Sequence, residues 1–211
     1  MQENDNLIKL VAFDCDGVLF DSRPANIAFY NGTLSHFGRP LLSPEAVDYI
    51  HSHTVGESLE HIFKGYANYE AVLDFARDFD YSPFIAMMVE EPHLREFLQF
   101  VRRERYTALA TNRTTTTGAV LNYHRLADDF DLVISAQDVS RPKPDPEAFV
   151  RILAHFNLAP FEAIYIGDSR VDEHFAANAG VPFVAYRNPS LQADYYLESF
   201  AAGPDLISSL S

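Results

Sequence analysis

The sequence predicts an α/β fold: a parallel sheet flanked by helices on both faces, interrupted by an all-helical insertion. Three observations carry this. From Tyr106 onward, short apolar runs alternate with amphipathic stretches, the pattern of strand–helix units that build a parallel sheet. One more apolar run, Leu7 to Phe13, reads as a buried strand and stops at Asp14 and Asp16, with Gly17 behind them. Between the two regions, Ser22 to Glu90 carries several helical segments, far beyond the roughly dozen residues a parallel crossover needs.

The elements follow in order. After the first strand, Ser22 is placed to cap a helix with Pro24 near its start, and Ile27, Tyr30, Leu34 and Phe37 recur at helical spacing until Gly38-Arg39-Pro40. Ser43-Pro44 opens a second helix to about Ile50. A loop, His51 to Gly56, leads to a third from Glu57 to Lys64; Tyr69 to Phe79 and Pro83 to Val89 also read as helical. Pro92 opens a helix to about Arg103 with Leu94, Phe97, Leu98 and Val101 on one face. Then come a strand, Tyr106 to Thr111; a helix, Thr116 to Leu126; a strand, Leu132 to Ala136; and a loop, Gln137 to Asp145. Helix Pro146 to Phe156, strand Ala163 to Ile166, helix Val171 to Ala179, strand Pro182 to Tyr186 and a short helix from Asp205 to Leu210 complete the chain. In such sheets ligands bind at the carboxyl ends of the strands.

Composition excludes several classes. With 211 residues, 47% hydrophobic and rich in Phe and Tyr, the chain suits a packed core plus an insertion rather than disorder. A net charge of −14 disfavours nucleic-acid polymers and anionic membranes as partners. It leaves small phosphate esters open, because a local cation can reverse the field at a site. Cys15 is the single cysteine, so no intrachain disulfide forms, which fits a cytoplasmic protein. The acidic, polar start is unlike a signal peptide, and no apolar run reaches the ~20 residues of a membrane helix.

Polar groups mark each core strand end. Asp14 and Asp16 end the first; side by side at the mouth of a buried strand they call for a hard divalent cation. Thr111-Asn112 end the second, Lys143 follows the third in a proline-framed loop, and Gly167-Asp168-Ser169-Arg170-Val171-Asp172 follows the fourth. Each has a plainer reading: turn-forming acids at 14 and 16, a structural hydroxyl at Thr111, a solvated loop lysine at 143. Asp168 also suits a helix N-cap, and Asp172 a first-turn acid favoured by the helix dipole. Cys15 sits between two acids that would raise its thiol pKa, and reads as a small buried hydrophobe.

Asp14-x-Asp16-Gly17-x-x-x-Asp21 resembles the nucleophile motif of the haloacid dehalogenase superfamily of phosphohydrolases. Thr111, Lys143 and Gly167-Asp168-x-x-x-Asp172 resemble its later motifs, in order. The resemblance implies a Rossmann-like core, residues 1–21 and 91–211, with a helical cap at 22–90. It implies Asp14 as nucleophile giving an aspartyl-phosphate, and Asp16 as general acid and base. Mg²⁺ would be held by Asp14, Asp168 and the Asp16 backbone carbonyl, with Asp172 orienting metal waters or Lys143. The Thr111 hydroxyl and the Asn112 amide would donate to phosphoryl oxygens, and Lys143 would neutralise their charge. Substrate choice would fall to the cap: His53, Thr54, Val55, Gly56 and Glu57, with Asn26 and Tyr30 on the first helix.

The implied protein is similar to the phosphoglycolate phosphatases: a Mg²⁺-dependent phosphatase of small phosphorylated metabolites, phosphoglycolate-like or sugar phosphates, monomeric or homodimeric. The presence of Asp16 argues against halide displacement, which needs no acid. A β-phosphoglucomutase-like phosphotransferase shares these motifs, although no arginine near Gly56-Glu57-Ser58-Leu59 stands ready for a second phosphate. A non-catalytic binder of metal and phosphate is the third reading; loss of Asp14 or Asp16 would have been its signature.

Overall fold

The structure, a computed structural model, describes residues 8–50 and 53–210. In chain order it runs β1 (Leu10–Phe13), β2 (Phe20–Asp21), α1 (Arg23–His36), α2 (Pro44–Ile50), α3 (Val55–Ile62), α4 (Tyr69–Asp78), α5 (Ser82–Ile85), β3 (Val89–Glu90) and α6 (Leu94–Val101). Then follow β4 (Tyr106–Thr111), α7 (Thr117–Tyr123), β5 (Leu132–Ser135), α8 (Glu147–Phe156), β6 (Ala163–Gly167), α9 (Arg170–Ala179), β7 (Phe183–Tyr186), β8 (Tyr195–Leu197) and α10 (Gly203–Ser209).

Six strands form one parallel sheet in the order β5-β4-β1-β6-β7-β8. The predicted α/β fold, a Rossmann-like sheet flanked by helices, is what the structure shows. β1 lies at the centre, between β4 and β6, so its residues are buried on both faces and read as a continuous apolar run. One face of the sheet, with Leu10, Ala12, Ala108, Ala110 and Tyr165, packs on Phe149, Ile152 and Phe175 of α8 and α9. On the other, Phe13 meets Phe97 and Phe200 edge-on or tilted.

The chain divides into two compact units, one holding Ser22–Val89 and the other the rest. The first is all helical, α1 to α5, around Phe29, Tyr30, Leu34, Ile50, Leu59, Phe63 and Val72. No described helix is long and apolar enough to cross a membrane.

Several local expectations change. The third helix starts at Val55, not Glu57, because Thr54 and Glu57 form a capping box that draws Val55 and Gly56 into the first turn. Pro83 to Val89 is not one helix: α5 stops at Ile85, and Val89–Glu90 pairs with Phe20–Asp21 instead. The Ser22 side chain makes no capping bond to α1; its oxygen accepts from Asn26. The seventh helix ends at Tyr123, where Arg125 turns to a positive φ of 56°. Tyr195-Tyr196-Leu197 is too short to show alternation, yet it forms the edge strand β8 beside β7. Leu7, His51 and Ser52 lie outside the described residues.

Candidate active site

The site forms at the carboxyl edge of β1, β4 and β6. Past Phe13 the chain turns through Asp14, Cys15 and Asp16, and the Asp14 N–H donates to Ile166 O (2.9 Å), carrying the pairing with β6 one residue further. Gly17 closes the turn at φ 80°; a Cβ there would lie 2.0 Å from Asp168 Oδ2. A side chain there would displace the Asp168 carboxylate, on a backbone of positive φ that glycine adopts without strain.

Asp14, Asp168 and Asp172 gather carboxylate oxygens within 4.8 Å of one another. Lys143, itself buried, is the cation among them. Its Nζ donates to Asp172 Oδ1 (2.7 Å) and to the Tyr165 hydroxyl (2.9 Å). It also forms an ion pair with Asp14 Oδ1 at 2.8 Å, an approach without hydrogen-bond alignment, so that enclosed oxygen keeps no aligned donor. The Lys143 backbone is held from β4: the Asn112 carboxamide accepts from Lys143 N (2.9 Å) and donates to Lys143 O (3.0 Å). Arg141, its neighbour, points to solvent and pairs with Asp145.

Ser169, not Asp168, caps α9, and Asp172 completes that capping box. Capping therefore does not explain Asp168. Asp172 does both things its position allows: it accepts from Ser169 N and Oγ (3.2 and 2.5 Å) through Oδ2, and from Lys143 and Tyr165 through Oδ1. Thr111 Oγ1 accepts from Arg113 N (3.1 Å), which leaves the hydroxyl proton free to donate elsewhere. Asp16 Oδ2 lies 3.4 Å from Arg113 Nε, while its enclosed Oδ1 accepts no hydrogen bond from the described residues.

Electrostatics follow from burial. Desolvation pushes the Asp14 carboxyl from 3.8 up to about 7, against the pull of Lys143. It raises Asp168 well above the usual range, with Asp172 and Asp14 adding repulsion. Burial pushes Asp172 the same way, yet Lys143, Ser169 and Tyr165 together hold it below the usual range. Burial, then Asp16, raises the Cys15 thiol, so it stays a protonated packing group. Were all three acids ionised, they would outweigh the one ammonium, which is why burial and mutual repulsion hold Asp14 and Asp168 up. That donor set, hard oxygens with an unaligned Asp14 Oδ1, fits a divalent cation. Asp14 and Asp168 have carboxylate oxygens to offer it; Asp172 is already committed to Lys143, Tyr165 and Ser169.

The helical unit places its candidates differently. Thr54 and Glu57 bond to each other in the α3 capping box. His53 stacks on Tyr49 at 3.7 Å between ring centroids, with His61 also stacked on Tyr49 at 3.8 Å. Val55 and Gly56 form the first turn of α3, and Asn26 accepts from the Tyr81 hydroxyl (2.8 Å). His51 lies outside the described residues.

Four residues at the edge escaped the sequence reading: Arg113, Tyr165, Ser169 and Asn188, whose side chain donates to Asp168 O (2.7 Å). Ser169 alone had a signal, the Ser-x-x-Asp spacing of a capping box. The others act across strands, which sequence spacing does not reveal.

The groups gathered at this edge are carboxylates around one buried lysine, at the carboxyl ends of the strands of a doubly wound parallel sheet. Residues 11–186 match the haloacid dehalogenase-like hydrolase family, and the chain belongs to it. A phosphoglycolate phosphatase of Pseudomonas putida is 30% identical over 192 residues, 84% of this chain and 69% of that protein. A phosphorylated carbohydrates phosphatase of Thermotoga maritima is 25% identical over 183 residues, 82% of each chain. The crystal structure of a haloacid dehalogenase-superfamily hydrolase of subfamily IA from Geobacter sulfurreducens superposes with a TM-score of 0.85 at 37% identity. It covers 94% of this chain and 99% of that one. The chain is an enzyme of the phosphatase type, as its motifs lead one to expect.

Proposed function

We propose that the protein is a Mg²⁺-dependent hydrolase of small phosphate monoesters that works through an aspartyl-phosphate at Asp14. One observation carries this: a buried carboxylate at the end of the central strand, with Lys143 at 2.8 Å and Asp168 beside it. Asp14 attacks phosphorus, the ester P–O bond breaks, and Asp16 gives its proton to the departing alkoxide. Asp16 then takes a proton from water, which attacks the phosphorus of the aspartyl-phosphate and releases phosphate and free Asp14. Thr111 donates its hydroxyl proton to a phosphoryl oxygen. Lys143 neutralises charge growing on the phosphoryl group. The Asn112 side chain holds the lysine's backbone. A bound Mg²⁺ at Asp14, Asp168 and the Asp16 carbonyl would supply charge neutralisation that lets one anion attack another.

The helical unit, on this reading, is the cap that excludes water and contacts the leaving group, with His53, Thr54, Gly56 and Glu57 as specificity candidates. The relatives named for phosphoglycolate and for phosphorylated carbohydrates support a small phosphorylated metabolite as substrate. The free, buried Cys15 suits a reducing cytoplasm. The test is phosphate release from a panel of esters, with Mg²⁺ or EDTA. Turnover should require Mg²⁺ and fall by at least about 10³-fold in Asp14→Asn. Undiminished turnover in that variant rejects the mechanism. A phosphoryl group moved to a second hydroxyl of the same sugar, instead of released, would mark a mutase.

A further inference from the structure

Tyr165 sits in the middle of β6, fully buried, with its ring among Phe149, Phe175 and Phe183. A phenylalanine would fill that space without burying a hydroxyl, which is costly unless hydrogen-bonded. The hydroxyl is bonded, and to groups of the site. It accepts from Lys143 Nζ (2.9 Å) and donates to Asp172 Oδ1 (2.8 Å), with Ala110 O at 3.2 Å. Small residues on the same face make the reach possible: Ala12 is the register partner of Tyr165 on β1, and Ala108 and Ala110 follow on β4. The ring thus passes beneath the central strand and delivers its oxygen to the far side.

Lys143 has two aligned hydrogen-bond acceptors, Asp172 and Tyr165; the Asp14 contact is an ion pair without alignment. Asp172 alone is a strong anion that would draw the ammonium toward itself. A neutral second acceptor, itself bonded to Asp172, fixes the direction of approach. We propose that Tyr165 is a positioning residue: its hydroxyl and Asp172 together hold the Lys143 ammonium facing Asp14, ready to meet phosphoryl charge without reorienting. This rests on the reading that Lys143 stabilises the transferring phosphoryl group. Preorganisation of this kind acts on the transition state more than on the bound ester.

The experiment compares Tyr165→Phe with wild type, alone and in a Lys143→Met background. Tyr165→Phe should lower kcat about tenfold, the size of one misplaced charge-assisted hydrogen bond, with KM for the ester unchanged within about twofold. Orthovanadate, which imitates the pentacoordinate phosphorus, should bind about tenfold more weakly by calorimetry. In Lys143→Met, adding Tyr165→Phe should leave vanadate affinity within about twofold, because the tyrosine acts through the lysine. Phe183→Leu, which loosens the same ring packing, should lower Tm while leaving kcat unchanged. Wild-type kcat and vanadate affinity in Tyr165→Phe overturns the proposal, as does an equal loss in both backgrounds. Full turnover in Lys143→Met would instead overturn the reading of the lysine itself.

Discussion

Asp14 and Asp168 show what it costs to bring acids together out of water. Burial raises both carboxyls, Asp14 to about 7. A folded pKa above the unfolded value of 3.8 means this stability is complete below that value. It is lost as pH rises through about 7, where the folded state must ionise its buried acids. A divalent cation held by these acids, as proposed above, would bind the ionised form and offset the loss. The rise in Tm on adding saturating Mg²⁺ should therefore be larger at about pH 8 than at about pH 5.5, by scanning calorimetry. An equal or smaller rise at the higher pH contradicts the assignment of these acids as its ligands. Gly17 is the second residue-scale constraint. Gly17→Ala places a methyl against Asp168 on a backbone of positive φ. It should cost about 1–3 kcal/mol in urea unfolding and weaken Mg²⁺ binding together. The spacing of Asp14, Asp16, Gly17, Lys143 and Asp168 was legible in the sequence. Tyr165 was not, because its meaning lies in Ala12 and Ala110 on other strands.

At the scale of elements, strands and helices were legible where an apolar period is long or a cap is strong. β1, β4 and β6 read correctly because central parallel strands are apolar on both faces. β2, β3 and β8 have two or three residues each and form because a partner strand lies alongside, so no local pattern announces them. The start of α3 shows the converse. Thr54-x-x-Glu57 is a capping box in plain sequence, and it extends the helix into a stretch whose composition predicts a loop. Thr54→Ala should lower unfolding free energy by about 1 kcal/mol in urea titration. No change would mean that the Glu57 side chain recaps the helix by itself.

For the whole molecule, the two units carry separate cores. Phe63, 1% exposed, belongs to the helical one. Phe63→Ala should cost about 3–5 kcal/mol and speed amide exchange across residues 22–89. Mg²⁺ should still raise the Tm, because Asp14 and Asp168 belong to the other unit. A lost metal response would show that the site depends on the helical core. The charge of −14 is likewise a property of the whole, and at the site it is offset in part by the buried Lys143 ammonium between Asp14 and Asp172.

By itself the sequence determined the parallel sheet, its family and the residues gathered at the strand ends, because strand burial and motif spacing are local and repeat every few residues. Only the tertiary structure decided how those residues are used. Strand order sets Asp14 between Thr111 and Asp168, and the α9 cap falls to Ser169, which leaves Asp168 to the acid cluster. The Asn112 side chain turns to the lysine loop, and a tyrosine crosses beneath the central strand to reach Lys143. Apart from the Ser169 cap, which Ser-x-x-Asp spacing announces locally, these assignments depend on contacts between residues tens of positions apart, where distance is set by packing and not by the chain.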